Sequence, residues 1–460
     1  MTLPEQAEVV ICGAGIAGVA VAHQLTVHAG VRDVLLVDDR PPLTLTSDKS
    51  TEAYRNFWPG PDGAMIALMN RSLDLMEELA RGTDNVFRLN RRGYLYATAV
   101  PARAAALERA ATAAAAQGAG PLRVHDHADS GGYAPSPPEV FEHQPLGADL
   151  IVQRALLRRH FPYLTERAVA ALHVRRCGWF SGQQLGMLLL ERARTRGAVL
   201  AAARLEAVEV AGGRVHGVVL REGGRTQHLR TSCFVDAAGP HLVSVAALLG
   251  IELPVFCELH LKASFRDTRG AVPRAAPLLI WDDPQELEWS DEERELLAAQ
   301  EESRGFLGLL PAGVHARPEG TMEGEQVLVL WPYHAQPVEP HFPLPEEPQF
   351  AEIALRGMAT MLPGLRAYLD AVPRTFVDGG YYVKTRENRC LVGPLPVGGA
   401  YVLGALSGYG LMVACGAAEL LGAHITGALL PEYAGAFTLS RYDDPAYRRL
   451  LEDWGPTGEL

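Results

Sequence analysis

Three glycines with a distinctive spacing form a turn near the N-terminus. Gly13, Gly15 and Gly18 form a G-x-G-x-x-G pattern between a strand-like run at 8–11 and a helix pattern reaching about residue 28. The first glycine permits a tight turn, the second lets a pyrophosphate approach backbone amides, and the third lets helix and sheet pack closely. Asp38 ends a second strand-like run twenty residues after Gly18. We expect it to hold ribose hydroxyls, which favours a dinucleotide without a 2′-phosphate.

A second glycine-rich turn lies near the other end of the chain. The glycines at 404–410 follow a strand-like run at 401–403 and precede a long Ala/Leu/Gly helix pattern that reaches about residue 427. Glycines between a strand and a helix again suggest backbone that approaches a ligand. The similar composition of the two ends predicts one cofactor domain built from discontinuous segments, with a second domain inserted.

The composition excludes several classes of function. The chain has 460 residues, 48% apolar and 21% charged, which is ordinary for a globular protein. Its net charge of -12 argues against nucleic acid or an anionic membrane surface as a partner. Six scattered cysteines without a C-x-x-C pair predict a reduced, intracellular protein with no metal site. Because a strand begins at about residue 8 and no uncharged apolar run reaches membrane-spanning length, we expect a cytoplasmic protein without leader peptide or membrane insertion.

Periodicity and turn residues predict the elements that position these turns. The predicted helices cover 65–79, 101–117, 181–197 and 290–302, the last with a capping box formed by Ser290 and Glu293. A loop is predicted at 118–138. The predicted strands lie at 93–96, 198–203, 255–266, 277–281 and 327–333, a further short strand ends at Asp236, and a hairpin at 207–220 turns at Gly212 and Gly213.

Four segments together carry a family resemblance. They are the N-terminal fingerprint, FVDAAGP (234–240), KTRENRCLVGP (384–394) and GALSGYGLMVACG (404–416). Over nearly its whole length the chain resembles the FAD-dependent amine and amino-acid oxidoreductases, which include glycine oxidase, sarcosine oxidase, dimethylglycine dehydrogenase and D-amino-acid oxidase. The resemblance implies an α/β fold (α+β overall). We expect a Rossmann-like FAD-binding domain from 1–85, 175–252 and 379–460, and an inserted, mainly antiparallel β-sheet substrate domain from 86–174 and 253–378.

The resemblance also implies where FAD binds. The expected cofactor residues are Gly13, Ala14, Gly15, Ile16, Ala17 and Gly18 at the pyrophosphate, Asp38, Asp39 and Arg40 at the adenosine ribose and just after it, Ser47, Lys49, Ser50 and Thr51 in a loop beside the flavin, Leu205 at the adenine, Ala237, Ala238 and Gly239 over the pyrophosphate, and Gly408, Tyr409, Gly410, Leu411 and Met412 at the flavin pyrimidine ring. A helix N-terminus at that ring would stabilise negative charge on the reduced flavin. Because the cysteine that tethers flavin in some members falls near Gly380 and no histidine lies in 47–58, non-covalent FAD is expected.

The expected substrate site departs from the sarcosine-oxidase-like members. Where those carry an arginine and a lysine that bind the substrate carboxylate, this chain has Glu52 and Met412. Three interpretations stay open: Glu52 binds a cationic substrate, Glu52 forms a salt bridge with Arg55, or a carboxylate is held by other donors. The candidate carboxylate donors are Arg55, Lys384, Arg386 and His334.

Aromatic residues are predicted to wall the substrate site. Eight lie in segments expected to face the reactive side of the flavin, namely Tyr54, Phe57, Trp58, Trp331, Tyr333, Tyr381, Tyr382 and Tyr409. Of these, Trp331 and Tyr409 are assigned to substrate binding, although aromatic residues in strands are also common in cores. Tyr333, His334 and Tyr382 are candidates for accepting the substrate's proton. Lys49 is the candidate for stabilising negative charge on the flavin or activating oxygen.

The expected reaction is oxidation of a C–N bond in a secondary amine or amino acid. A hydride passes to flavin N5, the imine product is hydrolysed, and oxygen or an electron-carrier protein takes the electrons. Two alternatives stay open: an FAD-dependent 2-hydroxy-acid dehydrogenase, and a non-catalytic flavoprotein scaffold or assembly factor. An enzyme predicts an open pocket with converging polar groups, whereas a scaffold predicts a pocket filled by apolar side chains such as Met412 and Trp331.

Overall fold

The computed structural model describes residues 3–58, 60–127, 132–333 and 335–454. The strands in these ranges, numbered in chain order, are β1 (Val9–Cys12), β2 (Val34–Asp38), β3 (Ala53–Arg55), β4 (Tyr94–Thr98), β5 (Leu122–His125), β6 (Ala148–Ile151), β7 (Ala170–Val174), β8 (Cys177–Trp179), β9 (Val199–Ala202), β10 (Arg204–Ala211), β11 (Arg214–Glu222), β12 (Arg225–Arg230), β13 (Phe234–Asp236), β14 (Phe256–Arg266), β15 (Leu278–Trp281), β16 (Gln285–Glu286), β17 (Leu309–Leu310), β18 (Val314–Pro318), β19 (Gln326–Leu330), β20 (Pro337–Val338), β21 (Phe376–Lys384), β22 (Leu391–Pro394) and β23 (Ala400–Gly404).

The α-helices are α1 (Ile16–His23), α2 (Thr46–Lys49), α3 (Ala64–Arg81), α4 (Pro101–Ala114), α5 (Arg154–His160), α6 (Gly182–Thr195), α7 (Leu242–Ala247), α8 (Asp291–Ala299), α9 (Phe350–Met361), α10 (Gly410–Thr426) and α11 (Pro445–Asp453). Two π-helical turns, Gln24–His28 and Ala115–Ala119, continue α1 and α4. A 3₁₀ turn, Ser407–Tyr409, leads into α10.

A six-stranded sheet carries both glycine-rich turns. Its order is β22-β23-β13-β1-β2-β9, and all neighbours are parallel except β22 and β23. Every residue of β1 is buried, as expected for a strand covered on both faces, which reads as a continuous apolar run. The chain leaves β1 between β13 and β2, so α1 begins at the carboxyl edge of the sheet, where open α/β sheets bind ligands.

A ten-stranded, mainly antiparallel sheet forms the second large layer. Its path is β20-β14-β19-β18-β15-β4-β7-β6-β5, and β21 pairs with β14 from Phe256↔Lys384 to Ser264↔Phe376. Only the β4–β15 and β5–β6 pairs in it are parallel within the described ranges. Strand β21 crosses the predicted boundary between 378 and 379 and leads from this sheet toward the parallel one. The division of the chain into domains stays a prediction.

Helix α10 is a core helix. It packs against α1 and α3, and α6 also packs against α1. The stretch Ser407–Thr426 has the length and composition of a membrane-spanning helix, but 67% of its most apolar part is buried inside the fold. Its apolar side chains therefore pack against other helices inside the fold.

The structure confirms the predicted fold class and most predicted elements. Gly212 and Gly213 both have positive φ in the hairpin turn, and Ser290 and Glu293 form the predicted capping box. All six cysteines are free thiols. The loop prediction at 118–138 is wrong at Leu122–His125, which pairs in parallel with β6, and its residues 128–131 lie outside the described residues. That strand is short and mostly half-buried, so no local pattern distinguishes it, and its partner is distant in sequence.

Buried histidines make the fold sensitive to acid. Burial lowers the pKa of His23 and His315 to about 4 and that of His173 to about 3. The unfolded chain takes up these protons near pH 6.5, so stability is full above that pH and falls as the pH drops toward the folded values. Each histidine contributes a slope of about 1.4 kcal/mol per pH unit. We expect urea titrations to give a lower free energy of unfolding at about pH 5 than at about pH 7.5.

A pair of variants isolates this effect. His23→Gln removes an imidazole whose Nε2 has no hydrogen-bond partner. The free energy of unfolding should then fall less steeply with acidification, by about 1.4 kcal/mol per pH unit. Gln24→Ala, its non-titrating neighbour, should change stability equally at both pH values. Identical pH slopes for His23→Gln and the wild type would show that His23 does not contribute.

Candidate active site

The turn after β1 leaves no room for side chains at two positions. Gly13 has a φ of +105°, and a Cβ there would lie 2.3 Å from the Ala237 carbonyl oxygen. A Cβ on Gly18 would lie 1.9 Å from the Gly13 carbonyl oxygen. Both positions therefore require glycine. At Gly15 a Cβ would meet only Ser47 Oγ within 4 Å, at 3.3 Å. Packing therefore does not require glycine there, and its effect is to leave the surface of the turn accessible.

Two polar side chains hold the start of α1. Asp38 accepts hydrogen bonds from the backbone N–H of Ala14 at 2.7 Å and of Arg40 at 2.9 Å. Ser47 Oγ accepts from the backbone N–H of Ile16 at 2.9 Å. A carboxylate has about four lone-pair sites, so Asp38 keeps acceptor capacity for the hydroxyls of a ligand.

These residues line a first cavity of about 860 Å³, open solvent at its mouth included. It follows both glycine-rich turns and the segment after β13. The predicted cofactor residues that line it are Gly13, Gly15, Ile16, Ala17, Asp38, Arg40, Ser47, Ser50, Ala237, Ala238, Gly239, Gly408, Gly410 and Leu411. The fold thus brings most of the predicted cofactor set into one cavity from four separate chain segments.

The remaining predicted cofactor residues lie elsewhere. Ala14 and Gly18 are inside the turn and the first turn of α1, where their atoms shape the cavity without lining it. Asp39 is half-exposed beside Arg40, with 4.0 Å between the carboxylate and guanidinium. Leu205 pairs with Leu220 in the β10–β11 hairpin and does not line the cavity. Thr51, Tyr409 and Met412 line a second cavity instead, and Lys49 lines neither.

The second cavity, of about 1130 Å³ with open solvent included, adjoins the first. Tyr382, Ser407 and Gly408 line both, so the two cavities meet there. Its aromatic walls are Trp58, Tyr94, Trp331, Tyr382 and Tyr409. Of the other predicted wall residues, Tyr54, Phe57 and Tyr333 do not line it and Tyr381 lines the first cavity. Trp331 and Met412 form part of the wall and leave the cavity open.

Arg55 is a deeply buried cation in this wall. It is 4% exposed, and its guanidinium carbon lies 4.8 Å from the centroid of the Trp58 ring. Its Nη1 donates to the Tyr96 hydroxyl at 2.9 Å. A guanidinium stays charged at physiological pH and has five N–H donors in a planar fork that matches a carboxylate. The position is therefore suited to an anionic group in the second cavity.

His260 belongs to a buried hydrogen-bonded group. Its ring lies flat on Tyr382, with 4.0 Å between centroids and 13° between planes. Glu258 Oε2 is 3.1 Å from His260 Nε2 and 2.9 Å from Lys384 Nζ. Burial alone would raise the pKa of Glu258, but these two hydrogen bonds outweigh it and lower that pKa to about 2. An ionised carboxylate only accepts, so His260 Nε2 carries a proton and donates to it. In the neutral imidazole, Nδ1 is then the acceptor nitrogen.

His315 lines the same cavity with different properties. Its Nδ1 lies 2.8 Å from the Gly313 carbonyl oxygen, which only accepts, so Nδ1 carries the proton and Nε2 is the acceptor. Because burial lowers its pKa to about 4, His315 stays neutral at physiological pH. In the part of the chain that the structure describes, no group of three or more His, Cys, Asp or Glu residues is arranged to hold a metal ion.

Glu52 does not pair with Arg55, so that predicted salt bridge is wrong. Its Oε1 accepts from the Gly182 backbone N–H at 2.7 Å, and its Oε2 lies 3.7 Å from Arg317 Nη2. Glu52 has a φ of +56° just before β3, and in an extended chain residues three apart point to opposite faces, so the spacing does not bring Glu52 to Arg55. It lines neither cavity, so a cationic substrate in either one would not meet it.

Lys49 is engaged in two salt bridges. Its Nζ lies 2.7 Å from Asp48 and 2.8 Å from Asp378. Burial alone would lower the pKa of Lys49, but the hydrogen bonds to the two carboxylates outweigh it and raise that pKa. A lysine held this way outside both cavities has a structural role that accounts for it.

The other predicted substrate and catalytic residues are dispersed. Lys384 contacts Glu258 rather than lining a cavity, and Arg386 is exposed and lines neither. Tyr333 packs against Phe306, Trp331 and Phe350. His334 lies outside the described residues.

Sequence reasoning missed His260 and His315. For His260 a signal existed, because Glu258, His260 and Lys262 are polar at every second position of an otherwise apolar strand, and a period of two places them on one face. His315 alternates with Arg317 in a buried strand of five residues, which is too short a pattern to identify a site, and only the pairing of β18 brings it to the cavity.

Comparisons with known proteins agree with this architecture. The family described as "DAO: FAD dependent oxidoreductase" matches residues 8–424. No curated protein sequence matches the chain. Among solved structures, L-proline dehydrogenase from P. horikoshii is similar with 18% identity and a TM-score of 0.71, covering 96% of this chain and 99% of that chain. Glycine oxidase from Geobacillus kaustophilus has 15% identity and a TM-score of 0.69, covering 95% and 99%.

Iminodiacetate oxidase from Chelativorans sp. BNC1 is similar with 16% identity and a TM-score of 0.68, covering 94% of this chain and 98% of that chain. At these identities the solved structures establish a common fold. The family match extends over nearly the whole chain and includes both glycine-rich turns. The protein therefore belongs to the DAO family and is an FAD-dependent oxidoreductase.

Proposed function

We propose that the protein oxidises a C–N bond in an amine or amino acid that binds in the second cavity, beside FAD in the first. The observation that carries this proposal is the pairing of the cavities. They meet at Tyr382, Ser407 and Gly408, and the second one contains the buried cation Arg55 among aromatic walls. The parallel sheet would serve as the FAD-binding part and the ten-stranded sheet as the substrate part, with β21 crossing the boundary that the sequence predicts between 378 and 379.

The first cavity fits a dinucleotide. The Gly13 and Gly18 positions bring α1 against the sheet, and the open surface at Gly15 is where a pyrophosphate would contact backbone amides at the helix N-terminus. Asp38 would accept ribose hydroxyls. Among the described residues that line this cavity there is no cysteine or histidine. In the proposed site FAD would be held without a covalent bond.

The residues of the second cavity would orient a substrate and exclude water. FAD, when bound, accepts a hydride. Arg55 would hold the substrate carboxylate, and Trp58, Trp331 and Tyr409 would cover its apolar part. In a secondary amine, loss of the hydride from the α-carbon leaves a protonated imine. Addition of one water then gives a carbonyl compound and a primary ammonium ion.

The cofactor site is tested by Gly15→Ala. Its Cβ would have only Ser47 Oγ as a close neighbour, so the variant should fold normally but obstruct the pyrophosphate. Loss of one hydrogen bond to a charged phosphate costs about 1.5–3 kcal/mol, or roughly 10- to 100-fold in FAD affinity. We expect that loss in fluorescence titrations of the apoprotein with FAD. Gly305→Ala, where a Cβ would have no neighbour within 4 Å, is the control, and equal affinities for the two variants would contradict the placement.

The reaction is tested by anaerobic absorbance titration of the purified protein. The panel is sarcosine, dimethylglycine, glycine, proline, D-alanine, a cationic diamine and a 2-hydroxy acid. We expect bleaching of an acid-extractable yellow flavin by at least one amine that carries a carboxylate. Bleaching by the hydroxy acid alone would instead establish a hydroxy-acid dehydrogenase. Reoxidation by air, or only by an added electron carrier, then identifies the electron acceptor.

The role of Arg55 is tested by Arg55→Lys, which keeps the charge and removes the planar fork. For the carboxylated substrate, kcat/KM should fall by about 2 kcal/mol, roughly 30-fold, because a buried charge pair is weakened. For the methyl ester of the same substrate the change should be small. Arg386→Lys, an exposed cation outside both cavities, is the matched control. An equal loss for the acid and the ester would show that Arg55 does not bind the carboxylate.

A further inference from the structure

Glu258, His260 and Lys384 form a buried group of charged and polar side chains. Both carboxylate contacts are made by groups that are about nine-tenths buried, with 10% or less of each side chain exposed. A buried ion pair adds little to stability, because desolvation offsets its Coulomb energy. His260 also lines the second cavity, next to the ring that lines both cavities. Of the three residues, His260 is therefore the one placed to contact a molecule in that cavity.

We propose that His260 accepts the substrate's ammonium proton at Nδ1, and that Glu258 holds the imidazole in the tautomer that makes Nδ1 the acceptor. This inference rests on the proposed function and names the base for it. His260 is the catalytic residue of the pair, because it lines the cavity, and Glu258 is a positioning residue that acts through it.

A base is needed because of how amines ionise. A secondary amine has a pKa near that of lysine, about 10, so it arrives as an ammonium ion at neutral pH. Its nitrogen lone pair must be free before a hydride can leave the neighbouring carbon. In the proposed step an N–H bond of the ammonium breaks, an Nδ1–H bond forms on His260, and the lone pair stays on the substrate nitrogen. The positive charge moves to the imidazole, whose Nε2–H already faces the Glu258 carboxylate.

The surroundings of His260 suit this proton transfer better than those of the other candidates. On the face of β14 and β21 that carries His260, the titratable and charged groups are Glu258, Lys262, Arg266, Asp378, Tyr382 and Lys384. His315 lies on β18, two strands from β14, and interacts electrostatically with His260. Glu258 is the acid in contact with the imidazole, and Lys384 keeps that acid ionised. Since burial lowers the pKa of His315 to about 4, His315 is too weak a base to hold a proton at working pH.

The test asks whether high pH restores the rate of flavin reduction in His260→Gln. The substrate is whichever amine bleaches the flavin of the wild type. The limiting rate of anaerobic flavin reduction at about pH 7 should fall at least about 100-fold, the lower end for general base catalysis. The deficit should shrink as the pH approaches the pKa of the free substrate, about 10, because more substrate then binds already neutral. Glu258→Gln should show a smaller deficit, about 10-fold or more, with the same pH rescue.

The matched control is His315→Gln, a histidine of the same cavity. Any deficit that it causes should stay constant with pH, because His315 does not take the proton in this mechanism. The proposal is overturned by a His260→Gln deficit that is equally large at all pH values, or by a rate within about threefold of wild type.

A measurement without substrate separates this proposal from the proposed function. In ¹⁵N-histidine NMR spectra of the FAD-bound protein, the His260 signals, assigned by their loss in His260→Gln, should show a proton on Nε2 and none on Nδ1. Glu258→Gln should weaken that preference. A proton on Nδ1 would overturn the positioning role even if an amine is oxidised. If no amine reacts, the proposed function fails and with it the proton-acceptor role, while the spectra still decide whether Glu258 fixes the tautomer.

Discussion

The close approach of α1 to β1 is the constraint on which the rest of the site depends. A side chain at Gly13 or Gly18 would overlap a carbonyl oxygen, so the helix can start this close to the sheet only with glycine at both positions. That approach brings the first amides of α1 to Asp38 and Ser47, which joins the segment after β2 to the helix N-terminus. The first cavity exists because these segments meet at one edge of the parallel sheet.

Gly408 is required for a similar steric reason at the point where the two cavities meet. A Cβ on Gly408 would lie 2.5 Å from the ring of Tyr382, so any other residue would displace the ring that lines both cavities. Tyr382 in turn is fixed by the pairing of β21 with β14, in which it lies opposite Glu258, and by stacking on His260. The junction therefore links the glycine turn of the parallel sheet to the polar face of the larger sheet.

What the sequence could predict was local, and what it could not predict was long-range. The strand, turn, helix and acid of the N-terminal fingerprint lie within one short segment, so their spacing was enough to place them. Two ion-pair partners, Arg317 of Glu52 and Asp378 of Lys49, could not be predicted because they are distant in the chain. His260 was missed for a related reason: its alternation with Glu258 was visible, but only the register of β14 against β21 shows that it faces the cavity. Strand β5 was missed because its pairing with β6, and not its own composition, makes it a strand.

The proposed chemistry requires that the α-carbon and the nitrogen of the substrate face different walls of the second cavity. The α-carbon must face the junction at Tyr382 and Gly408, while the nitrogen faces His260 and the carboxylate faces Arg55. Because the His260 ring lies flat on Tyr382 with centroids 4.0 Å apart, the first two walls are adjacent, and Arg55 lines the same cavity. Three different attachment points distinguish the two faces of an α-carbon. The arrangement that selects a substrate by its charge would therefore also select which hydrogen leaves.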